Sequence, residues 1–292
     1  MTLQAQIESF HDPATHTFSH LVLDPATRDC ALIDTVLDYD PASGRTSTAS
    51  AQRLLDRVQA LQARVVWILE THVHADHLSA AAWLKAWLGG QIGVGEHIVT
   101  VQQTFGRLFN AEPGFVPDGR AFDHHFTDDE VFQIGSLRLR ALHTPGHTPA
   151  CMSYLLEDAA QPVAFVGDTL FRPDYGSARC DFPGGDAALL YRSVRRLLAL
   201  PPHTRLYFCH DYPAAGQAPQ ISSTVAEQRA ANIHLHDGVD EADFVTLRRQ
   251  RDATLAMPTL LLPSVQVNMR AGHLPPAEDN GTRYLKIPLD RL

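Results

Sequence analysis

The chain has 292 residues, and its 24 basic and 33 acidic side chains give a formal charge of −9. The basic residues are not gathered into a stripe, which argues against a nucleic-acid partner. No apolar run approaches the roughly 18 residues of a membrane-spanning helix. The amino terminus lacks the basic start and apolar core of a secretory signal, and cysteines in a chain of this size are expected to stay as thiols. We therefore expect a cytoplasmic protein that binds neither nucleic acid nor membrane.

Predicted strands and helices alternate along the chain. Continuous or alternating apolar runs predict strands at 18–24, 30–35, 64–71, 130–135, 137–144, 151–158, 162–169 and 204–212. Helical spacing of apolar residues predicts helices at 48–63, 78–90, 96–109 and 186–200. This alternation predicts an α/β fold. We expect one domain over residues 1–292, more helical from about residue 213 onward and closed by a strand at 282–289.

A histidine cluster follows the predicted buried strand at 64–71. Its spacing is H-x-H-x-D-H, formed by His72, His74, Asp76 and His77. His72 and His74 alternate in an extended segment, so both rings can project to the same side. We expect Asp76 and His77 to fall where the next helix begins, turned toward a neighbouring position. The cluster therefore predicts one metal site, with room for a second beside it, and its nitrogen and oxygen ligands suit zinc, iron or manganese.

Three further strand ends carry residues of the same kind. His147 stands in a Pro-Gly turn, Asp168 follows an apolar run directly, and His210 follows another. Loops at strand ends are where the sites of α/β sheets collect, so these residues complete a set of seven candidate ligands. His143 is an eighth candidate, for which a hydrogen-bonded turn histidine is an equally good interpretation.

The combined motifs resemble those of the metallo-β-lactamase superfamily. The resemblance rests on H-x-H-x-D-H, then T-P-G-H-T, then G-D-T and a late histidine after a strand, and it runs from about residue 18 to residue 212. It implies an αββα sandwich with the metal at one edge of two facing sheets. In hydrolytic members the seven matching positions bind two metals, and the residue matching Asp168 bridges them.

The stretch after Asp168 is similar to the persulfide dioxygenase branch of that superfamily. The similarity lies in ARCDF followed by a glycine pair, in STVAEQRAAN and in VNMRAG, and it resembles most the bacterial subgroup called β-lactamase-like hydrolases. Cys180 departs from the pattern, because many members have threonine there. A packing thiol and a redox-active thiol are both open interpretations of Cys180.

The resemblance implies one Fe(II) per chain, bound by His72, His147 and Asp168. A face of two histidines and one carboxylate leaves three positions of an octahedron open. The remaining four candidates, which are His74, Asp76, His77 and His210, would then orient ligands or hold water. The implied reaction oxidises glutathione persulfide, or a related small persulfide, with O₂ to sulfite and glutathione.

A thioester hydrolase of the glyoxalase II type is the alternative. In that class all seven positions bind two zinc ions, and a bridging hydroxide attacks the acyl carbon. The two interpretations differ in metal content, with about one iron per chain for the dioxygenase and about two zinc for the hydrolase.

Glutathione carries two carboxylates, so cationic and hydroxyl-bearing side chains are expected in its groove. Arg179 and Arg270 are the candidate cations, because the planar guanidinium matches a carboxylate. Tyr175 and Tyr212 are the candidate hydrogen-bond partners. A structural salt bridge is the competing interpretation for each arginine. For this branch of the family a homodimer is a natural assembly.

Overall fold

The computed structural model describes residues 5–157, 161–213 and 216–291. The strands of this part of the chain are β1 (Gln6–Asp12), β2 (Thr17–Leu23), β3 (Asp29–Ile33), β4 (Val36–Asp40), β5 (Arg45–Ser47), β6 (Arg64–Leu69), β7 (Leu78–Ser79), β8 (Gln91–Gly95), β9 (His124–Phe126), β10 (Val131–Ile134), β11 (Leu137–His143), β12 (Met152–Leu156), β13 (Val163–Phe165), β14 (Arg205–Tyr207) and β15 (Ser222–Thr224). Its helices are α1 (Ala49–Ala60), α2 (Ala81–Leu88), α3 (Ile98–Leu108), α4 (Ala187–Leu198), α5 (Val225–Ala231), α6 (Glu241–Asp252) and α7 (Leu261–Asn268).

Two six-stranded sheets form the middle of the fold. The first has the order β1-β2-β3-β6-β8-β9, and the second has the order β10-β11-β12-β13-β14-β15. Strands β3, β6, β8 and β9 run parallel to one another, as do β13 and β14. Parallel neighbours place their carboxyl ends at one edge of a sheet, which is where the connecting loops can build a site.

Three apolar clusters separate four layers. One cluster joins the first sheet to α1, α2, α3 and α7, and Leu54, Leu84 and Phe105 belong to it. A second fills the space between the two sheets, and a third joins the second sheet to α4 and α6. A sheet that is apolar on both faces must be covered on both, so this distribution of apolar residues produces the αββα sandwich. The predicted α/β fold class is thus confirmed.

The structure differs from the sequence-based elements in several places, which include the start of α2 and the strand expected near the end of the chain. Helix α2 begins at Ala81 rather than at residue 78, because Leu78 and Ser79 pair with β4 as strand β7. Asp76 and His77 therefore lie in a loop, not at the first turn of the helix as expected. The expected strand at 282–289 is absent from the described residues, where only an isolated bridge joins Ala277 and Arg283.

None of the helices in the described parts of the chain is long and apolar enough to cross a membrane.

Candidate metal centre

Four loops at strand ends bring the seven candidate ligands together. The loop after β6 carries four of them, and the loops after β11, β13 and β14 carry one each. Six of the seven side chains are buried, and only Asp76 is partly exposed. Positions as distant in sequence as residues 72 and 210 thus meet at one edge of the sandwich, because the strands that precede them end there.

His72, His147 and Asp168 form one compact group. Asp168 Oδ2 lies 3.8 Å from His72 Nε2 and 3.6 Å from His147 Nε2. One ligand atom from each of the three residues lies within 4.8 Å of the others. Two ring nitrogens and a carboxylate oxygen therefore converge on a space small enough for a single ion.

The turn that carries His147 depends on a glycine and a backbone carbonyl. Gly146 has φ +138°, and a Cβ there would lie 2.3 Å from the backbone of Leu190 in helix α4, so only glycine fits. His147 Nδ1 donates to the carbonyl oxygen of Arg179 over 2.8 Å. This bond assigns the proton to Nδ1 and leaves Nε2 with its lone pair toward Asp168, as metal-binding histidines require.

The other four candidates form a second group. One ligand atom each of His74, Asp76, His77 and His210 lies within 4.8 Å of the rest. Asp76 Oδ2 is 3.0 Å from His210 Nε2. Burial disfavours the charged form of His210, but the carboxylates of Asp76 and Asp168 outweigh it and raise the pKa of His210 to about 9. Thr17 Oγ1 lies 3.3 Å from His77 Nδ1 and 3.4 Å from His210 Nδ1, and so orients both rings.

His74 differs from the other candidate ligands because two buried carboxylates contact one of its ring nitrogens. Its Nε2 donates to Asp34 Oδ1 over 3.0 Å, and Glu70 Oε2 lies 3.2 Å from the same nitrogen. Burial opposes a charge on this ring, yet the two carboxylates raise the pKa of His74 well above its ordinary value. Its Nδ1 is 4.0 Å from Cys209 Sγ. Only this second nitrogen of His74 can face an ion.

Unpaired buried atoms show that the cluster fits a metal ion. His72 Nε2, His77 Nε2, His210 Nε2 and Asp168 Oδ1 are buried and have no hydrogen-bond partner among the described residues. Such orphaned atoms cost free energy unless something else satisfies them. Burial, together with His74 and His147, lowers the pKa of His72 well below its ordinary value, which keeps that imidazole in the neutral form that binds metal. The set is consistent with a metal cofactor.

Asn268 is a site residue that the sequence analysis missed. Its Nδ2 donates to the carbonyl oxygens of His74 over 2.9 Å and His77 over 2.7 Å, and its Oδ1 accepts from Ser79 N over 2.7 Å. It belongs to the VNMRAG motif at the end of α7, so the signal was present without a role attached. Asp34 was also missed, although it follows β3 just as the candidate ligands follow their strands.

A cavity of about 280 Å³ opens beside the two groups of candidate ligands, which together are called the metal-type cluster. Asp76, His147 and Asp168 line it, together with several aromatic side chains. Tyr175 and Tyr212 lie there with their ring centroids 5.1 Å apart. These two predicted substrate-binding residues therefore do face the space next to the cluster.

The two predicted arginines differ in position. Arg179 lines the cavity, but its guanidinium makes 2.6 Å bonds to both oxygens of Asp181 and to the carbonyl of Ala256. Arg270 does not line it: it pairs with Glu112 at 2.6 Å and lies over the ring of Phe115, where a different cavity opens. These surroundings match the competing salt-bridge interpretation of Arg270, and its contact with substrate stays a prediction.

Two other sequence-based candidates have structural surroundings. His143 Nε2 lies 2.9 Å from the carbonyl oxygen of Pro149, as expected for a hydrogen-bonded turn histidine, and it is in none of the metal-type groups of the described residues. Cys180 is buried, and burial raises the pKa of its thiol. A thiol of this kind reacts slowly, which favours the packing interpretation of Cys180.

A model of the metallo-beta-lactamase superfamily matches residues 13–210. The chain therefore belongs to the metallo-beta-lactamase superfamily, and the resemblance drawn from its motifs is confirmed. A Burkholderia pseudomallei protein named "probable metallo-hydrolase" is 61% identical over 98% of this chain and 99% of its own length. "Glyoxylase B2" of Dictyostelium discoideum is 48% identical over 100% of this chain and 99% of its own length.

More distant relatives include enzymes named for persulfide oxidation. The Bos taurus protein named "Persulfide dioxygenase ETHE1, mitochondrial" is 30% identical over 91% of this chain and 88% of its own length. The crystal structure of ETHE1 from Myxococcus xanthus superimposes with a TM-score of 0.72 at 28% identity, over 92% of this chain and 100% of that one. A "Beta-lactamase hydrolase-like protein" of Xylella fastidiosa is 46% identical, and this chain spans only 65% of its length.

Proposed function

We propose that this protein is an Fe(II)-dependent dioxygenase that oxidises glutathione persulfide, or a related small persulfide. The observation that carries the proposal is the grouping of His72, His147 and Asp168, whose ligand atoms lie within 4.8 Å of one another. Two histidines and one carboxylate on one side of an ion are typical of non-haem iron oxygenases, because they leave positions for substrate and O₂. The similarity to proteins named persulfide dioxygenases, in sequence and in fold, supports the same activity.

The side chains around this triad suit that task. Iron(II) held by the triad would activate O₂ for oxidation of the terminal sulfur, so that GS–SH, O₂ and water yield glutathione and sulfite. The backbone carbonyl of Arg179 orients His147 through its Nδ1, and Thr71 Oγ1, 3.0 Å from His72 Nδ1, does the same for His72. Asp168 would neutralise part of the charge of a bound ion. The aromatic side chains of the cavity would limit the access of water to the sulfur.

In this proposal the residues of the second group support the three ligands of the triad. His74 has one nitrogen committed to Asp34, and Asp76 lies against His210 at 3.0 Å. These contacts engage His74 and Asp76 within the protein, whereas His77 Nε2 and His210 Nε2 have no hydrogen-bond partner among the described residues. As the sequence leads us to expect, we also propose a cytoplasmic location and a homodimer. Buried free cysteines are ordinary in a cytoplasmic protein.

A two-zinc thioester hydrolase remains the second candidate function. Four ligand-type residues within 4.8 Å are enough to hold a second ion, and the relative named "Glyoxylase B2" supports this alternative. In that case a hydroxide between the ions would attack the acyl carbon of a glutathione thioester.

A measurement of oxygen uptake distinguishes the dioxygenase from the thioester hydrolase. Protein loaded with Fe(II) without air is given glutathione persulfide, and O₂ consumption is recorded while sulfite is quantified. The dioxygenase predicts rapid uptake with one sulfite for each O₂, and about one iron per chain. Absence of uptake by fully loaded protein, together with thioester cleavage by the zinc form and about two zinc per chain, would instead establish the hydrolase.

A further inference from the structure

Helix α6 places the guanidinium of Arg251 at the cavity, and no carboxylate among the described residues pairs with it. Three arginines line the cavity: Arg179, Arg248 and Arg251. Arg179 is paired with Asp181, and the buried Arg248 is paired with Asp252 at 2.7 Å. Within the described parts of the chain, the side chain of Arg251 makes no hydrogen bond or ion pair.

The arginines that line the cavity and their carboxylate partners carry together one excess positive charge, with the metal-type cluster left out of the count. Arg179, Arg248 and Arg251 contribute +3, and the partners Asp181 and Asp252 contribute −2, which leaves +1. Those two carboxylates line a neighbouring cavity and not this one. The cationic surface of Arg251 is therefore available to a ligand.

The cavity lining thus combines two chemically different kinds of polar group with apolar surface. The polar groups are the metal-type cluster, represented by His147 and Asp168, and Arg251 on α6. Phe171, Tyr175 and Leu255 contribute apolar surface to the same cavity. Arg251 is also near enough to oppose the rise that burial causes in the pKa of Tyr175. A ligand with a soft atom at one end, an apolar body and an anionic group would match this arrangement.

We propose that Arg251 determines substrate specificity by binding a carboxylate of a thiol-derived substrate whose sulfur lies at the metal-type cluster. The proposal rests on the proposed function for the position of the sulfur and adds the residue that selects for a carboxylate on the substrate. A guanidinium binds a carboxylate through two parallel hydrogen bonds. Neutral persulfides of the same size lack that contact and bind more weakly.

The competing interpretation is that Arg251 only complements the carboxyl end of α6. Arg249 provides the matched control, because it lies in the same last turn, is also exposed and does not line this cavity. Both arginines complement the helix dipole equally. A difference between the two variants therefore reports on the cavity and not on the helix.

Calorimetry with the purified full chain tests the proposal without turnover. Wild type, Arg251→Gln, Arg251→Lys and Arg249→Gln are titrated with glutathione and with its diethyl ester, in which both carboxylates are masked. We expect Arg251→Gln to weaken glutathione binding about tenfold, which corresponds to roughly 1.4 kcal/mol, and to leave binding of the diester unchanged. Arg249→Gln should match wild type, and Arg251→Lys should fall between the two because it keeps the charge without the planar fork.

Three results would overturn the proposal. They are unaltered glutathione affinity in Arg251→Gln, equal weakening for glutathione and its diester, and no glutathione binding by the wild type. A parallel assay of persulfide oxidation should show a raised KM with kcat within about twofold in Arg251→Gln, as expected when a contact far from the reacting atom is lost. Failure of all persulfide oxidation with intact Arg251-dependent binding would overturn the dioxygenase and leave the anion site standing.

Discussion

The side-chain amide of Asn268 donates to the backbone carbonyl of His74 over 2.9 Å, across 194 positions of sequence. It thereby attaches the end of helix α7 to the loop that carries four of the seven candidate ligands. The same amide donates to the carbonyl of His77. The carboxyl-terminal helices thus take part in building the metal centre, although none of their side chains belongs to the candidate ligand set.

Replacing Asn268 should weaken both the fold and the metal centre. Asn268→Ala leaves two buried carbonyls and one buried N–H unpaired, so we expect a loss of about 2–4 kcal/mol in the free energy of unfolding. Metal affinity should fall about tenfold, because the loop is no longer held. Gln266→Ala is the control: Gln266 is a buried amide of the same helix that bonds to Leu262 and Lys286. Equal metal affinity in the two variants, measured by competition with a chelator, would contradict a role for Asn268 in the centre.

Removing the carboxylate shared by the triad should abolish metal binding. Asp168→Ala takes away the oxygen that lies 3.6 Å and 3.8 Å from the two histidine nitrogens. Since losing residues that merely support a ligand costs about 10–100-fold in affinity, loss of a ligand should cost at least about a hundredfold. Elemental analysis after dialysis measures this, with His143→Gln as a control histidine that should keep its metal. An Asp168→Ala protein that retains a full complement of metal and activity would exclude the triad.

The stability of the protein should depend on pH through His20. Burial lowers the pKa of His20 from 6.5 to about 4, against the opposing effect of the Phe208 carbonyl. Between these two values the unfolded chain binds a proton that the folded chain does not, so the folded state loses stability as the pH falls from 6.5 toward 4. Going from pH 7 to pH 5 should cost about 2 kcal/mol through this residue.

Urea unfolding at pH 7 and pH 5 isolates this effect. His20→Gln should lose less stability than wild type over that interval, by about the same 2 kcal/mol, because the variant has no imidazole to titrate. His236→Gln, which alters an exposed histidine, should follow the wild type. Parallel losses in wild type and His20→Gln would show that His20 does not carry the pH dependence.

Arg270 should matter for stability and not for substrate. Its guanidinium pairs with Glu112 and lies 4.5 Å from the ring centroid of Phe115. Arg270→Gln loses this partly buried pair and the cation–π contact, for which we expect about 1–3 kcal/mol in the free energy of unfolding. The KM for persulfide should stay within about twofold of wild type. Glu112→Gln should show a similar pattern, and a large rise in KM in Arg270→Gln alone would restore Arg270 as a substrate-binding residue.

Local sequence rules were sufficient for much of the fold and for the ligand set. An apolar run followed at once by His72, Asp168 or His210 marks a strand that ends at the site, and this rule needs only short-range information. The pairing of β2 with β3 and the helices α1, α3 and α4 followed from apolar spacing in the same way. The start of α2 was misplaced, because the pairing of Leu78 and Ser79 with β4 is a contact with a distant strand.

What the sequence by itself determined is which residues can bind a metal and at which strand ends they lie, because ligand chemistry and strand periodicity are local properties. Only the tertiary structure decided which of the seven residues lie within reach of one another, which nitrogen of His74 is already committed to Asp34, and which arginines pair with a carboxylate. The sequence alone does not distinguish the roles of Arg179, Arg251 and Arg270. Their partners come from distant segments, so their roles depend on contacts that form only when the chain is folded.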